Sequence, residues 1–169
     1  MNDHDARPAD EHEERPLDEL IGSGRTIAMV MTMVGEAHTS RPVTCVEVTA
    51  RRLSFLVSRE VEWVADILAG EATVHVTVAD TKENTYLSLQ GSASVTADVD
   101  EIQRLWTPVS KVWFTGPDDP RLAILRFDVS AGHYWDGPSG AIRQGISIMR
   151  AMIEGDETAL GTSGPVATA

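Results

Sequence analysis

Residues 104–140 read RLWTPVSKVWFTGPDDPRLAILRFDVSAGHYWDGPSG and carry three of the four tryptophans, Trp106, Trp113 and Trp135. Lys111, Asp118, Asp119 and Asp136 stand among them. Rings interleaved with charges at the ends of apolar runs suit a surface that stacks on a flat ligand or closes on a second subunit. The turn Gly116-Pro117-Asp118-Asp119-Pro120 breaks the stretch, and the apolar run Leu122–Val129 behind it predicts a strand.

Outward from that strand the same unit recurs. Thr26–Val34 predicts a strand apolar on both faces, with Ile27, Met29, Met31 and Met33 on one and Ala28, Val30 and Val34 on the other. Both faces then need cover, as in a barrel wall packed against a helix or a subunit. Val43–Thr49 and Leu53–Val57, joined by Ala50-Arg51-Arg52, predict a hairpin. Val74, Val76 and Val78 alternate with Thr73, His75 and Thr77; Leu87, Leu89, Gly91, Ala93 and Val95 alternate with Tyr86, Ser88, Gln90 and Ser92. Both are strands with one polar face.

Helices are short and peripheral. Leu17, Leu20 and Ile21 space like one face of an opening helix, and Val61, Val64, Ala65 and Leu68 mark two turns closed by Gly70. Asp98 followed by Glu101 resembles a capping box, opening a helix with Val99, Ile102 and Trp106 on one side. Ile142, Ile146, Met149 and Ile153 predict a terminal helix ending at Gly155. About six short strands with few helices make a mainly β fold, antiparallel and closed or nearly closed into a small barrel. Strands do not alternate with long helices, which argues against a doubly wound sheet.

The 169 residues suit one domain, and 42% apolar content is enough for a core without staples. A net charge of −12 argues against a phosphate-neutralising nucleic-acid surface. Residues 1–15 hold six acidic residues against Arg7 and Arg15 and read as a disordered acidic arm. Residues 156–169 read as a flexible tail, which leaves 16–155 for the domain. The single cysteine, Cys45, allows no intramolecular disulfide and reads as a buried, inert thiol. No signal peptide is visible, and the longest apolar stretch, Ile27–Val34, is too short to cross a bilayer. A cytoplasmic protein without membrane contact is expected.

No GxGxxG, GxxxxGK[ST] or GxSxG occurs. The histidines at 4, 12, 38, 75 and 133 show no ligand spacing, and no metal site is expected. Arg41, in His38-Thr39-Ser40-Arg41-Pro42-Val43, can either offer its guanidinium to a polar heterocycle or solvate a strand start. Ser58-Arg59, between a strand and a helix, can meet an anion or cap the helix.

The segments SRPV (Ser40–Val43), FLVSRE (Phe55–Glu60), YLSLQGSA (Tyr86–Ala93), RLWTPVSKVWF (Arg104–Phe114) and DDPRLAILRF…YWDGPSG (Asp118–Gly140) resemble the pyridoxamine 5'-phosphate oxidase-like split-barrel flavoproteins. Within that family they resemble the general stress protein subgroup, and the likeness covers about residues 17 to 153. It implies a six-stranded antiparallel split β-barrel, a homodimer, FMN held at the dimer interface and an FMN-dependent oxidoreductase-like role. By the same resemblance Arg41, Pro42, Val43 and Thr44 would face the isoalloxazine ring. Phe55 to Ser58, Val57 included, would run along the cofactor, with Ser58 and Arg59 nearest its phosphate. Lys111 and Trp113 would approach from the partner, while Tyr134 and Trp135 would close the rim.

One segment departs from the family pattern. Relatives place a serine and a lysine after the third strand to grip the phosphate, and here Val61, Glu62 and Trp63 stand there. Losing such a cation and gaining a carboxylate is worth about 1–3 kcal/mol per charge-assisted contact. A second expectation follows: a non-catalytic binding module that has lost FMN, with Trp63 filling the phosphate end. Deazaflavin and haem occur in the wider superfamily, and for haem only His38, His75 and His133 lie in the folded body as candidate ligands.

Overall fold

The computed structural model describes residues 14–22, 24–137 and 162–167. The doubly apolar run becomes β1, Thr26–Val34, as predicted. It pairs antiparallel with β2, Ala37–Val48, across a turn in which Gly35 takes φ 58°, and on its other side with β4, Thr73–Asp80. β5, Thr85–Thr96, continues the sheet from β4 and meets β6, Leu122–Asp136. β3, Arg52–Ser58, pairs with β2 on one edge and with β6 on the other. The ring β3-β2-β1-β4-β5-β6 therefore closes on itself, a six-stranded antiparallel barrel that removes the open edges of a flat sheet.

Strand alternation fills the interior. Val30, Leu53, Phe55, Val76, Leu89, Leu125 and Phe127 are buried in one cluster inside the wall. Ala28 and Val30 point inward from β1, but Ile27 and Met29 on its other face are exposed, so the cover expected for that face does not come from the described residues. Four consecutive residues at the start of β6, Leu122 to Leu125, are all buried because the strand is covered on both sides. Its outer residues Leu122 and Ile124 pack with Ile102, Leu105 and Phe114 in a second cluster outside the barrel.

That outer cover is supplied by α3, Val99–Leu105, and by a 3-10 turn, Pro108–Val112. The Asp98 carboxylate accepts the Glu101 amide at 3.0 Å, as the spacing predicted. The reciprocal half of the box is missing, since Glu101 pairs with Arg126 on β6 instead. Arg104 bonds Glu47 on β2, so α3 is held to the wall by charges at two points. Val99 is exposed rather than packed with Ile102.

α1, Leu17–Ile21, buries Leu17 and Leu20 against the barrel. α2, Glu62–Leu68, follows β3 and is closed at Gly70, whose φ of 73° suits glycine. Val64 and Ile67 are its buried residues, whereas Leu68, expected on the inner face, is exposed. The two-turn length leaves room for only one inward stripe.

The tail differs from expectation. Thr162–Pro165 form β7, antiparallel to His133–Asp136 of β6. The pairing of β3 with β6 ends at Asp128, which leaves the far half of β6 with one open edge. Main-chain donors and acceptors there need partners, and β7 supplies them. Polar, small residues can do this because the bonds are backbone bonds, and composition does not reveal them. Val166 is buried and its amide bonds Gly132, while Arg15 bridges Val166 and donates to Asp136 at 2.7 Å. Arg15 is therefore anchored and not part of a loose arm. The predicted helix over 142–153 lies outside the described residues, as do residues 1–13.

Candidate functional site: a split between β2 and β3

The ladder between β2 and β3 runs from Val48–Leu53 to Cys45–Phe55 and stops there, after a register shift between Cys45 and Glu47. Beyond it β2 follows β1 and β3 follows β6, so the wall parts. The parting is a groove of about 410 Å³, within the ~300–1,000 Å³ range of small-molecule sites. Pro42, Val43 and Thr44 form the β2 bank, and Leu56, Val57 and Ser58 the β3 bank. Val61 and Trp63 close the end against α2, while Trp113, Phe114 and Arg121 come over from the segment leading into β6. The lining is mostly apolar, with the hydroxyls of Thr44 and Ser58 and one guanidinium as its polar groups.

Seven of the residues the sequence pointed to meet in one groove: Pro42, Val43, Thr44, Val57, Ser58, Trp63 and Trp113, the last entering from its own chain and not, as expected, from a partner. Arg41 stands beside it, its guanidinium carbon 4.7 Å from the centre of the Trp63 ring. The same guanidinium donates to the Thr32 hydroxyl at 3.0 Å, and burial lowers its pKa against the opposing field of Asp66. Arg41 is therefore not a solvated strand start. It is stacked and bonded in place.

Others fall elsewhere. Phe55 is fully buried in the barrel, because the alternation of β3 turns residue 55 inward and residue 56 outward. Arg59 is exposed beyond the end of β3 and does not line the groove; its amide donates to the Arg121 carbonyl. Lys111 is exposed on the 3-10 turn, and nothing in this single chain places it in the groove. Trp135 lies on the outer face of β6, its ring 5.0 Å from that of His133, and Tyr134 is buried. Neither lines the groove of this single chain.

Leu56, from the expected run Phe55 to Ser58, and the unexpected Phe114 and Arg121 complete the site. Arg121 forks onto Asp119, with Nε 3.1 Å from Oδ1 and Nη2 2.8 Å from Oδ2. The Thr115 amide and hydroxyl also donate to Asp119 Oδ2, at 3.0 and 3.1 Å. Asp119 thereby ties the loop that follows Trp113 and Phe114 to the start of β6, and its side chain is only 2% exposed. The Arg121 guanidinium, then the Thr115 and Arg121 amides, hold its carboxyl well below the usual carboxylate range.

A carboxyl whose folded pKa lies below its unfolded one stabilises the fold fully above the unfolded value and loses that contribution as pH falls toward the folded one. Asp119→Asn is therefore expected to melt below the parent at pH 7. The gap should narrow as pH drops under about 4, the unfolded carboxyl range. Melting curves of both proteins across that range check this, and a gap independent of pH would contradict it.

Cys45 is buried, donates to the Glu47 carbonyl at 3.0 Å, and burial pushes its thiol up to about 11. It is a packing residue. Among the described residues no group of three His, Cys, Asp or Glu comes together to hold a metal, and no helix is long and apolar enough to cross a membrane.

Comparison with known proteins accords with this architecture. A protein from Jannaschia sp. CCS1 assigned as general stress protein 26 superposes with a TM-score of 0.69 at 20% identity, covering 82% of this chain and 89% of its own. The general stress FMN/FAD binding protein of Xanthomonas citri gives 0.59 at 24% identity, over 68% and 82% of the two chains. Protein bli-3 of Neurospora crassa is 22% identical over 99 residues, 53% of this chain, and the match spans only 47% of its length. These likenesses speak for the fold. The family model described as pyridoxamine 5'-phosphate oxidase like matches residues 12–159, and the chain belongs to that family.

Proposed function

We propose that the protein is an FMN-type flavoprotein, an oxidoreductase-like homodimer with the isoalloxazine ring held in the split between β2 and β3. One observation carries this reading: the split is a mostly apolar groove walled by Trp113 and Phe114 on one side and by two free strand edges on the other. A flat tricyclic ring needs such walls, and strand-edge amides and carbonyls can address its polar rim. The flavin would supply the electron chemistry, and the chain's part is to bind the ring, orient it and exclude water.

A second subunit is part of the proposal because the groove is open and its surroundings are apolar. Val112 and Trp113 are 73% and 60% exposed, and Ile27 is 65% exposed. Register pairs Ile27 with Thr44 and Met29 with Pro42, which sets this bare face of β1 next to the β2 bank. Grouped large apolar residues on a single chain mark an interface.

The alternative is a binding module that has lost its flavin, and the stacking of Arg41 on Trp63 favours it. The two readings separate in one experiment. A visible spectrum of the purified protein, followed by titration with flavins and a sedimentation measurement, is expected to show bound or bindable flavin on a dimer. Colourless dimer that quenches no flavin fluorescence at saturation would leave the module reading standing.

A further inference from the structure

The groove is mostly apolar along its banks, and few charges line its α2 end. We propose, on the reading that the split holds a flavin, that it selects an unphosphorylated one: a neutral isoalloxazine carrying a hydroxylated chain, of the riboflavin type. The end of the groove against α2 is walled by Val61 and Trp63, which offer a dianion no cation. Two nearby cations are already engaged: Arg41 sits over the Trp63 ring and bonds Thr32, and Arg121 is closed on the buried Asp119 as a neutral pair.

Beside the exposed Arg59, which does not line the groove, acidic groups are in the majority at that end. Glu60, Glu62 and Asp66 stand at that end, and α2 is seven residues long with Glu62 already in its first turn. A carboxylate in the first turn offsets part of the pull of the helix start on a phosphate. The neutral polar groups of the lining, the hydroxyls of Thr44 and Ser58, match a polyol instead. Ser58 Oγ already takes the Glu60 amide at 3.4 Å and keeps its own proton to give.

Parallel fluorescence titrations of the purified protein with riboflavin and with FMN test this. Riboflavin is expected to bind at least as tightly as FMN, and about tenfold tighter if each carboxylate neighbour repels as expected. FMN binding more tightly than riboflavin would overturn the proposal while leaving the flavin reading intact. Failure of both ligands at saturation would remove the flavin reading and this selectivity with it. Glu62→Lys adds a cation at an exposed position that no packing depends on. It should improve FMN by about tenfold and leave riboflavin within a factor of about three. An equal gain for both ligands would count against a phosphate-hostile end. Trp63→Lys with Glu62→Ser repeats the test in the wall itself, and an FMN affinity unchanged by it would likewise overturn the assignment.

Discussion

Gly91→Ala is expected to cost about 3 kcal/mol or more, the range reserved for mutations that break a special backbone position. For a chain of this size that is a fall in melting temperature of about 10 °C. The reason lies in how β5 meets β6. Gln90 faces Ala131 but Gly91 faces Val129, so Ser130 is an extra residue on β6 and the pair is bent there. The bend brings the two backbones together: a Cβ on Gly91 would lie 2.1 Å from the Asp128 carbonyl oxygen and 2.9 Å from its carbon. Those are main-chain atoms of a central strand and cannot swing aside. Gly116→Ala is the control, since a Cβ there meets nothing within 4 Å. It should stay within about 0.5 kcal/mol of the parent. A Gly91→Ala protein that melts with the parent would mean that the strands do not close at this bend.

Much of the barrel was readable because a wall covered on one side writes its period into the chain. β4 and β5 alternate cleanly, and Val74, Val76, Val78, Leu87 and Leu89 all turn inward as their spacing required. β1 was readable as an apolar run on both faces, although only its inner face, with Ala28 and Val30, is buried among the described residues. What could not be read was pairing. β2 begins at Ala37, six residues before the expected Val43, because Ala37–Thr44 is held by β1 alone. Pro42 is tolerated there because β3 does not pair with that part of β2. β7 was invisible for a related reason, since its role is to satisfy an open edge.

The site was legible in the same uneven way. Residues 42–44, 57, 58, 63 and 113 line the split with Arg41 beside it, whereas the alternation of β3 turns Phe55 into the barrel. Arg121 was missed because its relation to Ser58 is made by strand pairing: Ser58 faces Leu122 across β3 and β6. The signal was present in the turn Gly116–Pro120, whose Asp119 needs a cation once buried, and Arg121 is the next charged residue. Arg41 and Trp63 were each picked out, but no spacing rule joins residues that far apart; only the closing of the barrel does.

Trp113→Ala is expected to weaken flavin binding about 10- to 100-fold, equivalent to about 1.4–2.8 kcal/mol. The ring is 60% exposed in the single chain and sits at the end of the 3-10 turn, fixed by its amide on the Ser110 carbonyl at 3.1 Å. So much exposed indole is not there to hold the barrel together, and its neighbour Phe114, which is buried, does that work in the outer cluster. A tryptophan that is bare in the free subunit and covered in the complex is the commonest kind of binding hot spot. The variant should therefore melt close to the parent while losing affinity. Trp113→Phe should recover most of the loss, because a smaller ring still stacks. Flavin titration and melting curves on all three proteins separate the outcomes. Should affinity fall only in step with stability, Trp113 is a packing residue; should neither fall, the ring is held by other walls of the split and the stacking role assigned to Trp113 is lost.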